Sequence, residues 1–130
     1  MVKRSDVQGW GNGYLEVGNY TIVANVMRSA DYKTAGGGKL LSNGFRIEPK
    51  ALEKHGFDDW GGWSGYETGN RASGKRYWDH YIHTRTGSKK YQDKLGPDIY
   101  CDIHIDFMRR HRRDPMMLYL PMALTHGCVL

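Results

Sequence analysis

The sequence predicts an α/β fold, and three observations near its end carry that prediction. Gly96-Pro97-Asp98 opens a helix, with proline in the first turn and an acid beside the positive end of the dipole. After a short turn at Asp114-Pro115, Met116 to Leu124 is a nearly continuous apolar run, the pattern of a strand covered on both faces. Thr125-His126-Gly127 follows at that strand's carboxyl end, where open α/β sheets place their ligand groups. Helix, turn and buried strand in succession are the local grammar of α/β proteins.

The elements follow in chain order. Residues 1–19 read as loop, because Gly9, Gly11, Gly13 and Gly18 break any period. Thr21 is the predicted N-cap of a helix whose stripe is Ile22, Val23, Val26, Met27 and Ala30 and which ends near Asp31. Tyr32 to Ala35 is a short strand, stopped by Gly36-Gly37-Gly38. A second short helix runs from Pro49 through His55, with Gly56 as its left-handed stop. From Gly61 to Gly96 neither period holds. Glycines are interleaved there with Trp60, Trp63, Tyr66, Tyr77, Trp78, Tyr81 and Tyr91, and Tyr77 to Thr84 is a strand piece. These aromatics are expected to cover a neighbouring core before lining a cleft. The last helix buries Ile99, Ile103 and Phe107, widened by Tyr100, Ile105 and Met108. It ends in Arg109, Arg110, His111, Arg112 and Arg113, where cations suit the dipole.

Composition narrows the classes. The chain has 130 residues, enough for one domain, with a formal net charge of +5 and 17 glycines. Its aromatic share of 12% argues against a disordered tail. No apolar run approaches the roughly 18 residues of a membrane span, so no membrane partner is expected. Met1 to Asp6 leads into no apolar core, so no signal peptide is read there. Cys101 and Cys128 make neither a disulfide framework nor a zinc site. A strand as apolar as the last one needs neighbours on both sides, and only one or two other strands are evident. The sequence therefore reads as part of a larger fold.

Chemistry-bearing residues divide by context. His126 is the leading candidate, since an imidazole titrates near neutrality and can donate to a developing oxyanion or a leaving group. Lys39 follows three glycines that allow close approach to an anion. It is not a Walker A lysine, because Leu40 replaces the Ser or Thr and Lys33 the first glycine. His80 and His83, with Asp79 adjoining, lack the helix that would present them together to a metal, so they read as structural or exposed. Asp58-Asp59 reads as a loop acid pair. Arg109 to Arg113 would suit phosphates, but no nucleic-acid-binding motif accompanies them, and a basic helix end accounts for them.

Four collinear segments resemble the sulfatase family of the alkaline-phosphatase superfamily. TIVANVMRSADYKTAGGGK (Thr21 to Lys39) resembles the family's helix and strand leading to A-G-K-W. LEKHGFDDW (Leu52 to Trp60) resembles L-x-x-x-G-F-D. Tyr77-Trp78-Asp79 with Gly96-Pro97-Asp98 is similar to R-Y-W-D-P and G-P-D, and MMLYLPMALTHG (Met116 to Gly127) to the family's F-F-L-Y-Y-P-M-x-L-x-H-G-P strand and histidine.

The resemblance implies an incomplete part of an alkaline-phosphatase-like sandwich, with a mostly parallel sheet and flanking helices. It implies hydrolysis of sulfate esters, sulfated carbohydrates or aryl sulfates, by a formylglycine nucleophile beside calcium. Lys39 and His126 match the family's sulfate-contacting lysine and histidine. Relatives are often exported. The sequence departs from the family where the reaction begins: no Cys or Ser stands in a C/S-x-P-x-R cassette, and neither aspartate-containing metal pair is present. Calcium would then belong to the parent family and not to this chain, whose isolated activity is expected to be slight. The alternatives are a non-catalytic sulfate- or glycan-binding remnant and a basic nucleic-acid-binding module.

Overall fold

The computed structural model describes residues 20–40, 48–63, 77–79 and 81–122. Helix α1 spans Val23–Ser29, strand β1 Lys33–Lys39, helix α2 Ala51–Lys54, and β2 Asp59–Trp63. The hairpin β3 (Tyr81–Thr84) and β4 (Gly87–Lys90) leads to helix α3 (Gly96–Arg110) and strand β5 (Met116–Tyr119). The five strands form one sheet in the order β4-β3-β2-β1-β5. The fold is α/β, as the sequence predicts.

The sheet is mixed, not mostly parallel. β1 runs parallel to β2 and to β5, with Gly37 opposite Gly61 and Ala35 opposite Leu118, whereas β2–β3 and β3–β4 pair antiparallel. The tight Arg85-Thr86 connection permits only the antiparallel hairpin, which parallel strands cannot share.

β1 does not stop at its glycines; they are its centre. A Cβ on Gly36 would lie 3.0 Å from the Phe57 ring, and one on Gly37 would lie 2.5 Å from Cε1 of His104. Successive strand residues point to opposite faces. Phe57 and α3 therefore cover opposite sides of the sheet; a side chain at Gly37 would displace His104, and one at Gly36 would press on the Phe57 ring. On the first side Phe57 packs with Ala24 of α1, Leu52 of α2, Leu40 and Trp60. On the second, Ile99 and Tyr100 of α3 pack with Trp63 and Ile82, while Phe107 is fully buried. Trp60 and Trp63 are thus core residues, as the covering role predicts, but Trp78 is exposed.

Several sequence expectations shift in detail. The N-cap of α1 is Ile22, not Thr21, and Asn25 three residues on accepts the Ile22 N–H at 3.2 Å. Ala24 is the buried residue of α1, while Val23 and Val26 of the predicted stripe are exposed. Gly56 ends α2 at φ +95°, as a left-handed stop should. In α3 the face turned inward includes His104, and Ile105 and Met108 are exposed. β5 is not covered on both sides among the described residues: it is an edge strand, half-buried, with Tyr119 exposed. An apolar run records that a strand needs cover, not which chain segment supplies it.

Candidate functional site

The three parallel strands share one carboxyl edge, and Lys39 stands on it as the last residue of β1. Its N–H donates to the carbonyl of Pro121 at 2.8 Å, and the next N–H, of Leu40, donates to Trp63 at 2.9 Å. The central strand is thereby tied to both neighbours where it ends. Gly38 makes this possible. It sits at φ +121°, and a Cβ there would collide with the Pro121 carbonyl. Lys39 itself is half-buried, and among the described residues its ammonium forms no ion pair.

The topology adds to this position. From β1 the chain passes through α2 to β2 on one side, then returns through the hairpin and α3 to β5 on the other. The two connections cover opposite faces, so β1 and β5 flank a switch point, the position at which open α/β sheets bind ligands beside the carboxyl ends of their strands. Lys39 lies at that end. His126 follows β5 in the sequence but lies outside the described residues, as do His80, Cys128 and the glycine-rich stretch 64–76.

The other sequence candidates are absorbed by structure. Asp58 lies at the opposite, amino end of the strands. One of its carboxylate oxygens accepts the Thr34 N–H at 2.9 Å and sits 3.1 Å from the Thr34 hydroxyl, while the Asp58 N–H donates to the Thr34 carbonyl at 2.9 Å. Asp59 is not a loop residue: it opens β2 and pairs with Arg110. Arg110 also donates to Asp106 at 2.7 Å, and its hydrogen bond to Asp59, with that to Asp106, raises its pKa above the usual arginine value. One member of the basic cluster is thus committed, whereas Arg109, Arg112 and Arg113 are exposed.

His83 is structural. Both ring nitrogens are engaged, Nε2 with the Pro49 carbonyl at 2.8 Å and Nδ1 with the Ser88 hydroxyl at 2.6 Å, which pins the hairpin to the start of α2. Facing a carbonyl oxygen, Nε2 is the donor of the first of these bonds. Asp79 accepts the Asp93 N–H at 2.7 Å and faces Lys90 at 3.9 Å. His55, 1% exposed at the end of α2, has its pKa lowered by burial first, opposed by the Glu48 charge. Among the described residues no group of three or more His, Cys, Asp or Glu is placed to hold a metal.

Two features escaped the sequence reading. His104 is 5% exposed, its Nδ1 within 2.8 Å of the Tyr100 carbonyl and its Nε2 buried without a partner. The i, i+4 alternation of isoleucines had hidden it among core positions. The second is a cleft of about 490 Å³ between α3 and the β3–β4 hairpin, which Lys39 does not line. Its signal was present in the helix spacing: Ile99, Asp102, Ile103, Asp106 and Arg110 share one face of α3.

No helix among the described residues is long and apolar enough to cross a membrane. No protein-family model matches the chain, and comparison with curated proteins finds no match.

Proposed function

We propose that the chain is a segment of a sulfatase-type sulfuric-ester hydrolase, and that it contributes a sulfate-binding corner made by Lys39 and His126. The observation that carries this reading is the Lys39 ammonium, without an ion pair among the described residues, at the carboxyl end of β1, beside β5, at the switch point of the sheet. The same two strands lead to the two residues that the sulfatase resemblance picks out. A fixed ammonium and an imidazole N–H aimed at sulfate oxygens stabilise charge as it grows toward the transition state, by a few kcal/mol per donor in sites of this kind.

The chain has no cysteine or serine in the family's nucleophile cassette, so it binds a sulfate ester without forming the covalent intermediate. Calcium, which the resemblance implies for the parent enzyme, does not fit the described residues, which bring no three His, Cys, Asp or Glu side chains together. Binding without turnover is the expected behaviour of the isolated chain.

Calorimetric titration of the 130-residue protein with an aryl sulfate, alongside a hydrolysis assay, tests this. Saturable binding should be abolished by Lys39→Met and weakened by His126→Ala, with no product released. Binding unchanged in both variants would overturn the sulfate corner, and steady turnover would overturn its restriction to binding.

A further inference from the structure

The cleft beside α3 combines three kinds of surface in a way the fold does not require. Ile99 and Ile103 give it an apolar floor, and both also pack into the core beneath, so that floor is rigid. Toward the amino end of α3 it is basic: Lys89 and Lys94 line it on either side of Tyr91, and the Lys89 ammonium lies 4.6 Å from the Tyr91 ring centre. Farther along the helix it is acidic and hydroxyl-bearing, with Asp102, Asp106, Thr84 and Ser88.

Charges on the rim of the cleft are partly paired: Arg110 bridges Asp59 and Asp106. Here Lys89, Lys94 and Asp102 form no ion pair among the described residues. Arg110 neutralises Asp59 and much of Asp106, which leaves Asp102 as the free acid one turn away. A volume of about 490 Å³ is within the range that holds a small ligand. Free cations at one end ask for an anionic group. Carboxylate and hydroxyl acceptors along the wall ask for a row of hydroxyl donors, and an aliphatic floor asks for C–H surface. A sugar ring bearing a sulfate or carboxylate presents all three.

We infer that this cleft is a second carbohydrate-binding site, separate from the Lys39 end of the sheet, for an acidic oligosaccharide with its anionic group on Lys89 and Lys94 and its hydroxyls on Asp102. The choice of an acidic sugar rests on the sulfated-carbohydrate reading above; the position of the site does not. The cleft reaches β2 only at Asp59 and Trp60, toward its amino end, whereas Lys39 ends β1 at the carboxyl edge of the same parallel pair.

The test is titration of the full chain with a sulfated hexuronate–hexosamine disaccharide, at low and raised salt, for wild type, Lys94→Gln, Asp102→Asn and Lys39→Met. Lys94 and Asp102 are exposed, so their variants should keep the fold, which circular dichroism checks. The expected result is binding that survives Lys39→Met and weakens about tenfold in each of Lys94→Gln and Asp102→Asn. Binding lost in Lys39→Met yet unchanged in the two cleft variants would overturn this site and leave the sulfate corner standing. Binding that falls only in the cleft variants upholds this site and leaves the Lys39 corner to be decided by the aryl sulfate titration. Weakening in Lys94→Gln alone, with all binding abolished by salt, would reduce the cleft to diffuse charge attraction and overturn the proposal.

Discussion

The two ends of the parallel strands use polar groups in opposite ways. At the amino end, Thr34, Asp58 and the Gly56 carbonyl close a hydrogen-bonded clip, with the Thr34 hydroxyl 2.6 Å from that carbonyl, and Asp59, Asp106 and Arg110 close an ionic one. At the carboxyl end the backbone is tied by Gly38, Lys39 and Pro121, and among the described residues the Lys39 ammonium forms no ion pair. At the amino end Asp58 is taken up by Thr34, and Asp59 and Asp106 by Arg110. Charge density in a sequence therefore does not locate chemistry; a charge that the fold leaves unpaired at a topologically open position does.

The largest expected effect that sharpens this contrast comes from Asp58→Ala. It removes the acceptor of the Thr34 N–H and leaves a buried backbone donor unsatisfied beside a residue that is fully buried. Loss of a buried partner of this kind costs about 1–3 kcal/mol. A lowered midpoint in urea, with unchanged slope, is the expected outcome. A midpoint equal to wild type would mean that the clip is decorative and that the two ends do not differ as described.

His55 gives the amino end a pH dependence. It caps α2 one residue before Gly56, and its burial lowers its pKa in the folded chain. The unfolded chain, with an ordinary histidine pKa of about 6.5, then takes up a proton before the folded one does. The neutral imidazole is fully compatible with the fold above that pH. Stability is lost as the pH falls below it toward the lowered folded-state value. His55→Gln should flatten that part of the stability profile relative to wild type. Parallel profiles for the two proteins would show that this histidine is not the source.

Much of this fold is legible in the sequence where one signal dominates. Pro97 with the stripe Ile99, Tyr100 and Phe107 marks α3, and Gly56 marks the stop of α2. The central sheet is less legible. Asp59–Trp63 contains two glycines in five residues and Gly87–Lys90 has no apolar residue, so neither reads as a strand. Gly36-Gly37-Gly38 reads as a break because local propensity disfavours glycine in strands, whereas the close approach of Phe57 and His104 demands it. Lys39 was found by its neighbours in sequence. The cleft was not, because its second wall comes from a hairpin whose packing against α3 has no local signature.

The smallest expected effects are the most discriminating. Arg110→Ala breaks two ion pairs, yet its side chain is 46% exposed and screened by water, so the loss should stay below about 1 kcal/mol. Lys39→Met should change stability by no more than about 0.5 kcal/mol, since no described ion pair depends on the ammonium and the aliphatic stem is retained. The two variants therefore separate on binding and not on melting. Arg110→Ala should leave the affinity for an aryl sulfate as it is, and Lys39→Met should abolish it. Should Lys39→Met instead melt well below Arg110→Ala, the ammonium would be a structural group like those at the amino end. The carboxyl end would then be closed as well, and the contrast on which the sulfate corner rests would be gone.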